Sequence, residues 1–509
     1  MANLLTGDLK YDYLSVDEPP VRDERIGGCT AYFGCCSGLK EDFRKGCAQA
    51  LNRKFSQSGG CQLMLAMGII NTISNIVTII HSPLGCCSNL AGMAGVRNIS
   101  RASRGLKTEN QTFIHTNLDE LDVVNGGIEK LRRAILYADK EYQPEVIAIM
   151  NGCVPGVIGD DVDGLVRELQ PKVSARLVPV HCEGFKSRFV SSGYDAANHG
   201  ILKYLIREPK DTDESGTETE YESKERISKT VNIFNVGSNS HKDELELSRL
   251  IKKLGLIPRI VPLHASVYDL DRLGEAALNV SICATHDDYM LGHLKERYGT
   301  EYVLDVLPIG INCTNRWLRK IAGHFHLEKE VEELIEEETR ELIKAIEPFV
   351  KVLKGKRAFV GGGETRILTT ADFYRSIGME IVGIKSHNLD RFVQYLLDEI
   401  DNPHLPVEVA AGQPAEELNL LKRLKPDIYI GHIGANGWVT KLGIPNIPLF
   451  GTTINYMGYS GAYELARRAA RALKNTIFSK NISQNTELPL SDEWMQTYPK
   501  KNIVRGALF

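Results

Sequence analysis

Short apolar, β-branched runs alternate with amphipathic stretches along this chain, and that alternation limits its fold more than any other feature. The strand candidates are Val77–Ile80, Val146–Met150, Ala175–Val180, Val231–Val236, Arg259–Pro262, Ala358–Val360, Glu380–Ile384 and Ile428–Ile430. Several are apolar throughout, as expected of parallel strands covered on both faces. Helix candidates lie between them, among them Ile128–Ala138, Asp161–Leu169, Lys242–Leu254 and Arg391–Glu399. Strand–helix–strand order predicts an α/β fold of doubly wound, Rossmann-like parallel sheets. A chain of 509 residues has room for about three domains at roughly 100–200 residues each.

Two breaks divide the pattern. Residues 207–229 are acidic and almost free of apolar side chains, which predicts a solvated linker or insertion. A charged helix over His326–Leu353, Glu-rich from Glu328 to Glu338, ends at the stop signal Lys354-Gly355-Lys356. The expected organisation is an extended arm over 1–28, α/β domains at 29–206, 230–350 and 351–450, and a tail over 451–509. That tail is expected to pack on the first domain or on a partner. The Glu run reads most simply as a solvated helix face.

Charge and hydropathy narrow the function. Lys+Arg number 61 and Asp+Glu 65, a formal net charge of −4, which excludes a generally basic nucleic-acid binder. The longest apolar run, Ile69–Ile80, is broken by Asn71, Thr72, Ser74, Asn75 and Thr78, so no membrane span is expected. The first residues show neither a basic nor an apolar leader segment, and a cytoplasmic, reducing location is expected. Cysteines number eleven, and seven of them, Cys29, Cys35, Cys36, Cys47, Cys61, Cys86 and Cys87, fall in the first 90 residues. They fit buried free thiols and ligands of a soft metal or iron–sulfur cluster equally well.

Local context separates some of them. Cys61, Cys86 and Cys153 follow Gly59-Gly60, Pro83-Leu84-Gly85 and Asn151-Gly152. Cys153 directly follows a strand, and ligands of open α/β sheets sit at the carboxyl ends of strands. Glycine neighbours let backbone approach a bulky inorganic cluster. The spacing is too wide for a zinc knuckle or a CxxC redox pair. Cys283 lies where a short strand ends and a helix over Tyr289–Tyr298 follows; by itself it reads as buried filler more often than as a ligand. Cys29, Cys35, Cys36, Cys182 and Cys313 read as core thiols. The loop Gly361, Gly362, Gly363 after a strand reads as backbone approaching a cluster or as a plain turn.

The runs GGCQLMLAMGIINTISNIVTIIHSPLGCC, NGCVPGVIGDDV and HCEGFKSRFVSSGYDAANHG resemble the nitrogenase component 1 family, and more specifically its α-type catalytic chain. The resemblance covers about residues 30–475. It implies that Cys61, Cys86 and Cys153 ligate a P-type [8Fe-7S]-like cluster shared with a homologous β-type subunit, with His81 matching a family histidine. It implies that Cys283 binds one end of a large nitrogenase-type iron–sulfur cofactor, whose heterometal stays open. It further implies an α2β2 heterotetramer and a separate ATP-dependent iron–sulfur reductase protein.

Departures from the family pattern point to a rebuilt pocket. The family's second cofactor ligand is a histidine after Gly443-Ile444-Pro445. The matching position here is Phe450, or Gly451, Thr452, Thr453 or Asn455 under other alignments, and no histidine follows His432. A family histidine pair is Tyr194-Asp195, a nearby glutamine is Val190, and a family arginine is Glu364, although Arg366 remains. The expected pocket residues are Tyr194, Asp195, His199, His286 and Arg366, with His264 as a further lining histidine. The nitrogenase-like methylthio-alkane reductases, through their D-type subunit, are the leading expectation for substrate. A cofactor-assembly scaffold and dinitrogen reduction are the alternatives.

Overall fold

Each apolar run read as a strand forms one, and each pairs in parallel with its neighbours. The computed structural model describes residues 9–44, 60–88, 90–109, 111–206, 220–235, 240–431, 436–449, 451 and 453–487. One four-stranded sheet runs Thr112–His115, Ile76–His81, Val146–Asn151, Arg176–His181, all parallel. A second runs Glu301–Val303, Leu278–Ser281, Thr230–Asn235, Ile257–Pro262, also parallel. The third runs Asn446–Pro448, Ile428–Gly431, Arg357–Gly362, Glu380–Ser386, Pro406–Val409, Tyr32–Cys35, and only its last strand is antiparallel. Val236 lies outside the described residues.

Two compact units carry these sheets. One comprises the described residues of 1–25, 60–241 and 255–304 and contains the two four-stranded sheets; the other comprises those of 26–59, 242–254 and 305–509 and contains the third. In the first unit every residue of Ile76–His81 and Val146–Asn151 is buried. Helices Ile128–Tyr142 and Val162–Leu169 cover one face with Leu131, Ile135, Val162, Leu165, Val166 and Leu169. In the second unit, helix Gly458–Lys474 packs on helix Glu328–Leu353 through its buried Ala462, Leu465, Ala466, Ala469 and Ala470. Asp243 and Glu246 receive the first backbone N–H groups of that region, from Tyr456, Met457 and Ser460 at 2.8, 2.9 and 3.1 Å, an anionic cap on the positive end of a helix dipole.

Several expectations are corrected. The tail helix 458–474 belongs to the second unit, because its alanine stripe lets it lie close on the charged helix; residues 488–509 are outside the described residues. Glu338 does not sit on a solvated face: it is buried and accepts hydrogen bonds from Arg249 and Lys253. The acidic stretch forms a helix over Glu220–Lys229, while 207–219 lie outside the described residues. The helix expected over Arg391–Glu399 is a tight turn, Arg391–Val393, followed by Gln394–Asp398. The helix expected from Tyr289 starts at Ala284, where the Cys283 carbonyl accepts the His286 and Asp287 N–H groups. The short edge strands at 32–35, 112–115, 301–303 and 446–448, and the short inner strand at 406–409, are too brief to announce themselves.

The described part of the arm is not simply extended. It forms turns at Tyr13–Ser15 and Arg22–Arg25, and it enters the first unit with two arginines. Arg22 Nη2 lies 2.9 Å from Asp195 and 3.2 Å from Asp288; Arg25 lies 2.7 Å from Asp195 and 2.6 Å from Asp288. All four side chains are at most 1% exposed. Two cations against two anions leave no net charge, the condition under which buried ions are tolerated. Burial opposes ionisation of Asp195, yet the two guanidinium groups hold its carboxyl below the usual range.

Removing one partner strands a buried carboxylate. Arg25→Met is expected to destabilise the first unit by about 3–5 kcal/mol, read as a clear fall in its thermal unfolding midpoint. A midpoint equal to that of the unsubstituted chain contradicts the ion cluster's structural role.

Candidate metal centre

Parallel pairing sets the site. Ile76–His81 and Val146–Asn151 lie side by side in register, with His81 opposite Asn151. Their carboxyl ends therefore release two loops at one edge. The first forms a short turn, Leu84–Cys87, that carries Cys86; the second starts helix Cys153–Ile158 with Cys153 as its first residue. Gly152 passes so close to the first loop that a Cβ there would lie 2.8 Å from Ser82 Cβ. Cys61 comes from a third direction, as the N-cap of helix Gln62–Ile70.

Gly184 lies where the three approach. A Cβ on it would sit 2.8 Å from Cys61 Cβ, 3.5 Å from Cys61 Sγ and 3.7 Å from Cys153 Sγ. Burial pushes the Cys86 thiol up, Ser82 opposes this with a hydrogen bond, and the neighbouring Cys61 and Cys153 raise it further. A thiol whose neighbours disfavour its ionisation gains when a cation binds all three. Cys61 and Cys86 are exposed and Cys153 half-buried, whereas Cys29, Cys35, Cys36, Cys182, Cys283 and Cys313 are buried. Three convergent thiols on an open face, beside a glycine whose missing side chain lets Cys61 come close, fit part of a cluster's ligand set. Cys47 lies outside the described residues.

The motif residues around them have structural work. His81 is fully buried, with Nδ1 3.0 Å from Thr116 Oγ1 and Nε2 2.9 Å from Asp160 Oδ2. Asp160 also accepts the Gly127 N–H at 3.0 Å, and Asp161 caps helix Val162–Leu169 by accepting the Gly164 N–H at 2.8 Å. The Gly-Asp-Asp element thus ties three loops together. Glu183 accepts a hydrogen bond from Asn151 at 2.7 Å, and its carbonyl accepts one from Gln62 at 3.0 Å. It links Gln62, next to Cys61, to Asn151, two residues before Cys153. The sequence pattern HCEGF contained this glutamate and Gly184 without revealing their placement.

Cys283 occupies a second position in the same unit. It is 4% exposed and is the N-cap of helix Ala284–Tyr298, two residues past strand Leu278–Ser281. Ser281 Oγ accepts the Cys283 N–H at 2.9 Å and donates to Asp287 at 2.8 Å. Burial pushes the Asp287 carboxyl up to about 8. A buried thiol on a helix N-terminus, with its backbone clamped on the strand side, suits one fixed bond to a metal.

The expected pocket residues divide. The Tyr194 and His286 rings are in contact, 4.3 Å between centroids, and the His286 N–H donates to the Cys283 carbonyl at 2.9 Å. Asp195 is committed to the arm arginines. His199 is buried between Tyr289 OH and Val16 O, at 2.9 and 3.1 Å, and burial lowers it to about 4. His264 meets Ser100 at 2.9 Å, and burial and nearby arginines lower it to about 3. Gly193 brings the helix bearing Asp195 and His199 against Gln62 O of the Cys61 helix.

In the second unit, the strand Arg357–Gly362 ends in the glycine loop. A Cβ on Gly361 would meet Tyr429 OH at 2.5 Å, Gly362 has a φ of 151°, and Gly363 faces open space. Glu364 starts the next helix and accepts hydrogen bonds from Asn388 and the Asp390 N–H. Arg366 donates to Leu449 O at 3.1 Å and stacks over Tyr456 at 4.6 Å. Phe450 and Thr452 lie outside the described residues.

A model of the "Nitrogenase component 1 type Oxidoreductase" family matches residues 61–474. The nitrogenase molybdenum-iron protein alpha chain of Methanosarcina barkeri is 27% identical over 475 residues, covering 81% of this chain and 85% of that one. The nitrogenase iron-molybdenum cofactor biosynthesis protein NifE of Methanococcus maripaludis is 28% identical over 450 residues, covering 87% and 89%. In fold, the solved structure of nitrogenase Cp1 at pH 5 is similar with a TM-score of 0.69 at 21% identity, covering 85% of this chain and 91% of that one. No described helix is long and apolar enough to cross a membrane.

Gly184→Ala is expected to push Cys61 aside and lower the iron bound at the three thiols, measured as iron per chain in the anaerobically purified protein. Full iron content contradicts the convergence. Asp287 titrates higher folded, at about 8, than its ordinary 3.8. Its stabilising contribution is therefore complete below about pH 4 and lost as pH rises through about 8. Asp287→Asn is expected to flatten the fall in unfolding stability between pH 5 and 8; a profile parallel to the parent's contradicts the shift.

Proposed function

The chain belongs to the nitrogenase component 1 type oxidoreductases, and within that family we propose that it is the catalytic α-type subunit of a nitrogenase-like, ATP-dependent reductase. Cys283 carries this reading. It is buried, caps a 15-residue helix, and is held on the strand side by Ser281. The family implies a P-type cluster and a large iron–sulfur cofactor. Cys61, Cys86 and Cys153 would hold this chain's share of the first, and Cys283 one end of the second. The cofactor, when bound, supplies low-potential electrons in multiples.

The chain's own residues position and protonate. Tyr194 and His286, in contact beside Cys283, are the proton-handling pair at the phenol oxygen and the imidazole. Asp195 and His199 are positioning residues, since each is held by fixed partners. Arg366 holds the loop at Leu449. Gly363, open where a Cβ would stand, lets backbone approach a large ligand, whereas Gly361 makes room for Tyr429. Leu121, Val124 and Val157 are 73%, 81% and 72% exposed, on two helices that touch each other, the second starting at Cys153. Such a patch supports protein partners: the homologous β-type subunit in an α2β2 assembly, and a reductase protein that hydrolyses ATP, for which this chain has no nucleotide motif.

For substrate, the proposal is reductive C–S cleavage of methylthio-alkanes. An alkyl methyl sulfide takes two electrons and two protons; its C–S bond breaks, giving methanethiol and a hydrocarbon. Val190 and Phe450, where the family has polar residues, support an organosulfur substrate. The absence of histidine after His432 places dinitrogen reduction lower. A second reading, an assembly scaffold that holds a precursor cluster and passes it on, is favoured by the 28% identity to a cofactor biosynthesis protein and by the same missing histidine.

Cys283→Ala is expected to abolish methanethiol release from methylated sulfides, assayed with the reductase partner and ATP, and to remove the large cofactor's iron while the interface cluster stays. Unchanged iron and activity contradict the assignment. Release of an intact cluster to an acceptor protein, without sulfide turnover by the parent chain, supports the scaffold instead.

A further inference from the structure

A group of charges around His181 adjoins the three-thiol site through Glu183 and contains none of its thiols. His181 ends strand Arg176–His181, and its side chain is 7% exposed. Its Nδ1 lies 3.6 Å from Glu18 Oε1 and 3.5 Å from Glu183 Oε1, and its Nε2 lies 2.8 Å from Asp163 Oδ2. Among the described residues, neither ring nitrogen has a well-aligned hydrogen-bond partner, and neither does Glu183 Oε2, on a side chain that is 0% exposed. One ligand atom each from Glu18, His181 and Glu183 lies within 4.8 Å of the others.

Spacing and charge point to the same occupant. Nitrogen and oxygen donors bind a zinc-like ion at about 2.1 Å, so two donors in a tetrahedral shell lie about 3.4 Å apart. The 3.5 and 3.6 Å separations from Nδ1 match that value. With a neutral imidazole, the carboxylates of Glu18, Asp163 and Glu183 face the single ammonium of Lys186. With Lys186 turned outward the three carboxylates carry three negative charges, on a half-exposed Glu18 and the more buried Asp163 and Glu183; one divalent cation offsets two of them and a protonated imidazole one. Lys186 already bridges the pair, with Nζ 2.6 Å from Glu18 and 3.2 Å from Glu183. Asp163 beside Nε2 stands where a carboxylate orients a metal-bound imidazole.

We propose that Glu18, His181 and Glu183 bind one divalent transition-metal ion of the zinc or manganese class, with Lys186 moving outward as it enters. Imidazole and carboxylate donors, with no thiolate, select such ions over the soft ones. The ion ties the arm, through Glu18, to the loop that places Gly184 against Cys61. The site contains none of the cysteines and does not depend on the substrate proposed above.

The test uses the intact, cluster-loaded complex and Mn2+ alone, a hard ion that thiolates bind poorly. Free Mn2+ is followed by its electron paramagnetic resonance signal, and bound Mn2+ is located by anomalous diffraction at the manganese edge. The expected result is one Mn2+ per chain at Glu18, His181 and Glu183. Glu18→Gln should weaken it about tenfold or more, and Lys186→Gln should tighten it. Both side chains are partly exposed, so both variants should fold and keep their iron. Equal binding by the parent and Glu18→Gln, density elsewhere, or no binding at millimolar Mn2+ overturns the proposal and leaves an ion-pair cluster only.

Discussion

The parallel pairing of Ile76–His81 with Val146–Asn151 governs the rest of the first unit. Both strands are buried on both faces, so their register is held by packing as well as by the ladder. Because they run in the same direction, their ends open at one edge, and the loops that follow carry Cys86 and Cys153. His81 and Asp160 then fasten those loops, and Glu183 joins Gln62, next to Cys61, to Asn151, two residues before Cys153. Cys86 and Cys153 meet by consequence of strand pairing, and Cys61 reaches them as the N-cap of helix Gln62–Ile70.

The buried charge cluster performs a comparable task around Cys283. Asp195 and Asp288 sit on two different helices, and Arg22 and Arg25 hold both from the arm. Arg22 also donates to the Thr285 carbonyl, in the first turn of the helix that Cys283 caps. The arm thereby fixes that helix, which carries His286 against the Tyr194 ring. Its energetic value is specificity of placement more than net stability, since desolvation of four charges offsets much of their attraction.

Much of this was legible in the residues. Apolar runs buried on both faces can only be central strands, and the glycine-flanked cysteines marked the loops. Short edge strands such as Glu301–Val303 and Asn446–Pro448 were not legible, because pairing to an existing sheet forms them. The meaning of Arg22 and Arg25 depends on Asp195 and Asp288, 170 and 263 residues away from Arg25. Asp195 was expected to act in catalysis because it stands where the family has a histidine; the structure gives it to the arm. His181 and Glu183 were visible only as letters of a motif, and Glu18 only as part of a polar arm.

The central claim is that this chain carries two separate iron sites, one open at Cys61, Cys86 and Cys153, the other closed at Cys283. Iron-edge anomalous diffraction from crystals of the anaerobically purified complex tests it most directly. The expected result is two peaks per chain, one against the three convergent thiols and a larger one bonded to Cys283 Sγ. A peak at the three thiols with none at Cys283, in protein whose iron content was unchanged by handling, would contradict it.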